Sequence, residues 1–385
     1  MAQDLQRMRQ GKEELQTGKK QQKGKGQREK KRALAGLFLL LAAVLLLFAA
    51  RSFPNFATWY SLHIYKALVS LAGRFFGIFP ISVSEFLLYI LAVFFVFCIG
   101  RTIREAVHSG KAAAPLARFF SGLLLAAGIL FFIYAAACGV NYYRTSFAEE
   151  TSLEVEGGTV EELKEACRML TDQVNETASE VYRDESGQMK LTGDVQERAV
   201  AAMEKLGEKY DCLEGEYPRP KGLVFSWILS VQKLTGIYSP FTIEANYNTE
   251  MTDYNIPFTA CHELAHLKGF MQEQEANFIG YLAALESDDT EFQYSGALLG
   301  WIYCTNALQE TDYEAYREIR SELCEEAKVD LEANSQFWQK YESPVAEVAN
   351  EVNDTYLKAN GQQDGVVSYD RMVELILAYN RQQNG

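Results

Sequence analysis

Apolar positions fall into three unbroken blocks in the first third of the chain and then become periodic. Residues 33–50 run from Ala33 to Ala50 without a charge. A second run covers about 82–100, with Glu85 near its start, and a third covers about 119–138. Each is long enough for a spanning helix, so the pattern predicts three transmembrane segments. Before the first run, residues 1–32 are polar and basic (Lys19, Lys20, Lys23, Lys25, then Arg28 to Arg32). Nothing in them can form a core, which predicts a disordered arm. The arm is long for a signal peptide and no small-residue cleavage site follows the first run, so the run reads as an uncleaved anchor. Segment 51–81 is apolar and aromatic but interrupted by His63, Lys66 and Arg74. That mixture predicts a helix lying in the membrane interface.

From residue 139 onward the apolar spacing is chiefly helical. Thr159-Val160-Glu161-Glu162 is a capping-box start, and Asp194 opens a second helix reaching about Leu206. Residues 222–234, 291–308, 312–334, 336–358 and 368–382 carry helical spacing with few breakers. The exception is Tyr238 to Asn248, which predicts a strand with turn residues at each end. The expected fold class is therefore mostly α, with three N-terminal transmembrane helices and an α-rich C-terminal domain holding a short sheet.

Charge adds a direction to this picture. Residues 1–138 hold 18 Lys/Arg against 6 Asp/Glu and the remainder holds 19 against 45, which makes the net charge of −14. The basic arm, and the loop carrying Arg101, Arg104, Lys111 and Arg118, belong on the cytoplasmic side under the positive-inside rule. The acidic domain 139–385 is then extracytoplasmic, and its charge excludes nucleic acid as a partner. The expected partners are the lipid bilayer and a peptide or protein substrate.

The chemistry concentrates at Cys261-His262-Glu263-Leu264-Ala265-His266-Leu267-Lys268-Gly269. Only four histidines occur in the chain, and two of them form this HExxH pattern. Two histidines four apart project from one helix face and can reach a single zinc ion. The intervening Glu263 sits beside the metal, where it can act as general base toward water. Pro257 suits a first helical turn and Gly269 a left-handed C-terminal residue, which predicts a helix over 257–268 and a second one from near Gln272. The metzincin pattern needs a histidine at 272, so Gln272 excludes it. The third ligand is then a carboxylate of the second helix. Glu273 and Glu275 are the candidates, and they cannot both face the metal, because they lie about 200° apart on a helix. Glu275 is favoured, since Phe278, Tyr281, Leu282 and Leu285 read as an apolar face packing on the first helix; Glu273 is the alternative. Tyr294 and Tyr303 are candidate phenols for an oxyanion. The seven cysteines show no paired spacing, and Cys261 reads as a small buried residue. His63 reads as an interfacial polar residue.

Several segments in this order resemble a known family. Phe79-Pro80-Ile81-Ser82, Asn141-Tyr142-Tyr143-Arg144, Gly236 to Thr242, Ile256 to His266, Glu273 to Phe278 and Tyr294-Ser295-Gly296 are similar to bacterial, Firmicutes-type membrane proteins of unknown function with a zincin-like HExxH domain. The resemblance covers nearly all of the chain after the basic arm, which is the chief departure. It implies a zincin-like (α+β) extracytoplasmic domain. Related zincin families carry a glutamate ligand in a Glu-Ala-Asn helix after HExxH, which implies Glu275. The expected activity is that of a membrane-anchored zinc metallopeptidase: His262, His266 and Glu275 hold Zn2+, and Glu263 is the general base. The competing expectation is a non-catalytic membrane protein whose zinc stabilises the domain or binds a partner.

Overall fold

The computed structural model describes residues 2–362 and 371–384, with side chains from Gly26 onward apart from residues 54 and 384. The protein is mostly helical with one small sheet. It divides into two compact units, residues 1–48 with 87–136, and residues 49–86 with 137–385.

Among the described residues, three helices have the length and apolarity to cross a membrane: the Gly26–Ser52 part of α1 (Ala2–Ser52), α4 (Val83–Ser109) and α5 (Ala113–Ala137). They fit a membrane protein with three spans. Between α1 and α4 lie α2 (Pro54–Tyr60) and α3 (Lys66–Phe76), joined by a π-helical turn at Ser61–Tyr65. The arm expected to be disordered continues α1 instead. Its Gln, Lys, Arg, Glu and Leu residues are good helix formers, and a preformed apolar helix removes the cost of nucleation. Within the first unit, Gly36 and Gly128 bring α1 and α5 into backbone contact. A Cβ on Gly36 would lie 2.9 Å from the Leu125 nitrogen, and one on Gly128 would lie 3.0 Å from the Gly36 Cα. Small residues are what allow such an approach between lipid-embedded helices.

The second unit begins with segment 49–86, which packs against distant parts of the same unit. Ser61 and Tyr65 are buried. Tyr65 donates to the Leu267 carbonyl at 3.1 Å and lies 2.9 Å from the Tyr238 hydroxyl, while Ser61 donates to Asn141 at 2.8 Å. Its partners are up to 202 residues away, so local amphipathicity could not reveal them.

The helical domain follows with α6 (Phe147–Glu150), α7 (Val160–Ala178), α8 (Val195–Lys209) and the single turn α9 (Trp227–Ser230). Then come α10 (Asn255–Leu267), α11 (Glu273–Leu285), α12 (Thr290–Thr311), α13 (Tyr313–Glu322), α14 (Glu325–Gln339), α15 (Pro344–Ala359) and α16 (Arg371–Asn384). The Thr159–Glu162 capping box and the Asp194 cap are present as expected. Two long predicted helices are each interrupted. Asn175 accepts the Cys324 N–H at 2.7 Å and stops α13 short of α14. Ser343 caps a new helix at Pro344, whose ring cannot continue the previous one. Residues 368–370 of the expected last helix lie outside the described residues. The helix expected over 222–234 shrinks to α9, because Lys221–Gly222 enter the sheet and Lys233 has φ +56°.

The sheet has the order β1-β3-β2, with β1 (Lys221–Gly222) parallel and β2 (Gly236–Ser239) antiparallel to the central β3 (Glu244–Tyr247). The single strand expected over 238–248 is therefore a hairpin. Pro240 has no N–H for a ladder and Ile243 takes φ +52°, so the chain reverses between them. All four residues of β3 are buried against α10.

Candidate metal centre

Every residue of α10 is buried. Gly269 ends it with φ +95°, as its position in the sequence anticipates. A three-residue turn leads to the Gln272 cap, and α11 returns across α10. The helices pack tightly at Gly280, where an added Cβ would lie 3.0 Å from the His262 backbone nitrogen.

This return brings Glu273, not Glu275, to the histidines. Ligand atoms of His262, His266 and Glu273 all lie within 4.8 Å of one another. The Glu273 oxygens stand 3.5 Å from His262 Nε2 and 3.7 Å from His266 Nε2. Glu275 points to the opposite side of α11, where its Oε1 accepts the Phe147 N–H at 2.7 Å and so secures the start of α6. Burial raises the Glu275 pKa to about 7, opposed by that hydrogen bond and by Arg144. The expectation of Glu275 rested on an apolar face of α11. Gln274 to Ala284 are all buried, however, so apolar character marks no single direction. Phe278 packs on Phe147 and Tyr379, with ring centroids 5.9 Å and 6.1 Å away. The face that meets α10 is marked by Glu273, Asn277 and Gly280, at spacings of four and three.

The imidazoles are oriented from behind. His266 Nδ1 lies 2.8 Å from the Phe270 carbonyl, which fixes that nitrogen as the donor and leaves Nε2 free to ligate. His262 Nδ1 and Asn277 Nδ2 are both buried without a partner. Turning the Asn277 amide places its oxygen on the His262 Nδ1–H and gives His262 the same polarity as His266. Asn277 was not among the residues expected from the sequence. Its spacing from Glu273 was the available signal.

Glu263 lies beside this trio, with its Oε1 4.0 Å from His262 Nε2 and its Oε2 buried without a hydrogen-bond partner. Gly236 of β2 makes room for it, since a Cβ there would fall 2.8 Å from the Glu263 Cγ. Electrostatics across the trio share one cause. Burial pushes the His262 pKa well below its usual value, with His266 adding to the effect, and pushes Glu263 well above the carboxylate range, with Glu273 adding to that. Burial raises Glu273 as well, opposed by His266. These groups resist charge for want of a counter-charge, and a divalent cation among them would reverse that preference. Two imidazole nitrogens and one carboxylate oxygen, with no fourth protein ligand in the group among the described residues, fit the donor set of an open zinc site.

Of the two tyrosines, Tyr303 belongs to this neighbourhood. Burial and Glu273 both raise its pKa, and its ring is 6.5 Å from that of Phe258, which stacks on His262 at 6.4 Å. Tyr294 is committed elsewhere, donating to Asp330 at 2.6 Å. Cys261 is fully buried and burial raises its thiol pKa, in keeping with a packing role. His63 is exposed, with Nδ1 2.9 Å from the Trp59 carbonyl one turn before it, and it takes no part in the centre.

The α10–α11 turn is clamped by Arg144. Its guanidinium donates to the Lys268 carbonyl at 3.0 Å and to both oxygens of Glu150, and lies 3.9 Å above the Phe270 ring. Phe270 is the residue whose carbonyl orients His266. Arg144 therefore holds the turn that sets the ligand geometry.

A family model described as "Protein of unknown function (DUF3810)" matches residues 60–377. No curated protein and no solved structure matches the chain.

Proposed function

Because the chain belongs to the DUF3810 family of unknown function, we propose its function from the site alone: it is a membrane-anchored zinc metallopeptidase that hydrolyses peptide bonds. The observation that carries this reading is the convergence of His262, His266 and Glu273 within 4.8 Å, with the Glu263 carboxylate alongside and its Oε2 without a hydrogen-bond partner among the described residues. Zinc, when bound, supplies a Lewis acid that polarises a scissile carbonyl and makes water nucleophilic at neutral pH. His262, His266 and Glu273 would hold it. Glu263 would receive a proton from the attacking water and return it to the leaving amine. Tyr303 is the candidate hydrogen-bond donor to the developing oxyanion. Strand β2, at the edge of the sheet among the described residues and with Gly236 packed on Glu263, would offer an extended peptide a backbone ladder beside the general base.

The charge distribution supports an extracytoplasmic site. The α4–α5 connection carries Lys111, and Arg101, Arg104 and Arg118 flank it, whereas residues 139–385 are strongly acidic. A purely structural zinc site would be closed by four protein ligands and would give Glu263 no task.

The test uses the full chain purified in lipid nanodiscs and loaded with zinc. Mass spectrometry should find about one zinc per chain, and a degenerate peptide library should be cleaved. Glu263→Gln should keep the zinc and lose about 100- to 10,000-fold in turnover. Zinc retained in both proteins, with no cleavage by either, would replace the peptidase reading with the non-catalytic one.

A further inference from the structure

The second unit turns an apolar rim outward around the first turn of α4. Val224, Phe225 and Trp227 are 52%, 47% and 52% exposed, and Phe241 in the β2–β3 loop is 47% exposed. The surface of a water-soluble domain scatters such side chains singly, but here they gather at one place. Glu85, the third residue of α4, accepts the N–H groups of Val224 and Phe225 at 2.9 and 2.8 Å. Glu244, three residues after Phe241, accepts those of Val83 and Ser84 at 3.1 and 2.8 Å. Two carboxylates thus tie both parts of the rim to the start of a helix fit to cross a membrane. The chain leading into α4 is equally apolar at its surface, with Ile78 76% exposed and Phe79 and Ile81 both 42% exposed.

The same construction limits the distance from the candidate centre to lipid. Strand β2 begins at Gly236 against Glu263 and ends at Ser239, which pairs with Glu244. The strand's rise, one interstrand spacing and one side chain place Glu263 within roughly 20 Å of the start of α4. An extended polypeptide covers that distance in about six residues.

Resting on the peptidase reading, we propose that this rim sits in the lipid headgroup layer at the start of α4 and that the substrates are polypeptides tethered to the same membrane, cut about six residues from their lipid-embedded segment. Aromatic and aliphatic side chains at this boundary are those that partition into the interface. A substrate held in the same bilayer reaches the β2 edge at a high effective concentration, which a freely diffusing peptide does not.

Two readouts test this on the full chain in nanodiscs. In the first, the Trp227 emission is isolated as the difference from Trp227→Phe and compared between brominated and ordinary phosphatidylcholine. An about twofold loss in the brominated lipid is expected for a side chain in the interface, and unchanged emission would overturn the placement. In the second, one degenerate peptide library is presented either free or joined to a transmembrane anchor. The parent should prefer the anchored form on the order of 100-fold. The triple variant Phe225→Ser, Trp227→Ser, Phe241→Ser keeps the helices that share the bilayer with the substrate, and should narrow that preference while cleaving the free library as the parent does. Equal cleavage of both forms by the parent would overturn the substrate class. Cleavage of neither form by the zinc-loaded parent would refute the peptidase reading and the substrate class with it, while quenching still decides the placement of the rim.

Discussion

Exchanging Glu275 and Glu273 one at a time separates a ligand from a structural carboxylate two residues away. Glu275 is buried and accepts the Phe147 N–H at 2.7 Å. Glu275→Gln retains an acceptor for that N–H and removes a carboxyl that burial already disfavours as an anion, so stability should change by less than about 1 kcal/mol. Glu275→Ala strands the same N–H in a buried place, at a cost of about 1–3 kcal/mol, with further loss from the cavity. For a domain of this size that corresponds to a fall of roughly 3–10 °C in Tm. Neither variant should change zinc stoichiometry. Glu273→Gln, in contrast, replaces a carboxylate whose two oxygens lie 3.5 Å from His262 Nε2 and 3.7 Å from His266 Nε2 with a neutral amide. Zinc affinity should fall at least tenfold, with Tm in the absence of metal held or raised, because an uncompensated buried acid is gone. The assay is zinc titration against a competing chelator alongside thermal unfolding of the same nanodisc samples. Loss of zinc from folded Glu275→Gln, with Glu273→Gln unaffected, would refute the assignment of the two roles.

Three further outcomes follow from the same geometry. Gly236→Ala puts a methyl group against the Glu263 side chain and 2.9 Å from the Asn246 carbonyl; it should cost about 1–3 kcal/mol and lower peptide turnover more than zinc content, both read on one preparation. Tyr65→Phe removes the hydroxyl shared by Leu267 and Tyr238, and thermal unfolding should show a loss of about 1–3 kcal/mol at unchanged zinc stoichiometry. Glu244→Gln breaks the buried pair with Lys221, which is 2.6 Å long, and should cost about 3 kcal/mol at pH 7. Burial opposes the Glu244 charge, but Lys221, Thr242 and the N–H groups of Ser84 and Val83 outweigh it and hold the pKa below its ordinary 4.5. A depressed carboxylate stabilises the fold above that value and ceases to as the pH falls below it. The Tm gap between the parent and Glu244→Gln should therefore narrow on acidification below about pH 4.5, and a gap independent of pH would contradict this account.

Local sequence carried the covalent and periodic parts of this protein. Three apolar runs were legible because a bilayer imposes a length that composition alone can meet. The α10 helix, its end at Gly269 and the start of α11 after Gln272 were legible too, since caps and left-handed residues act over a few positions. So was the pairing of His262 with His266, which depends only on helix pitch. Tertiary structure decided which carboxylate joins them. Glu273 and Glu275 are equally near in sequence, and the choice depends on the rotation of α11 about its own axis. Gly280 lets α11 pack close against His262, and the Phe147 N–H meets the other carboxylate from 128 residues away. The same limit hid the docking of segment 51–81, the Asn277 behind His262 and the hairpin that presents Gly236 to Glu263. Each arises where two distant stretches meet, and the energy of such a meeting is written in neither stretch alone.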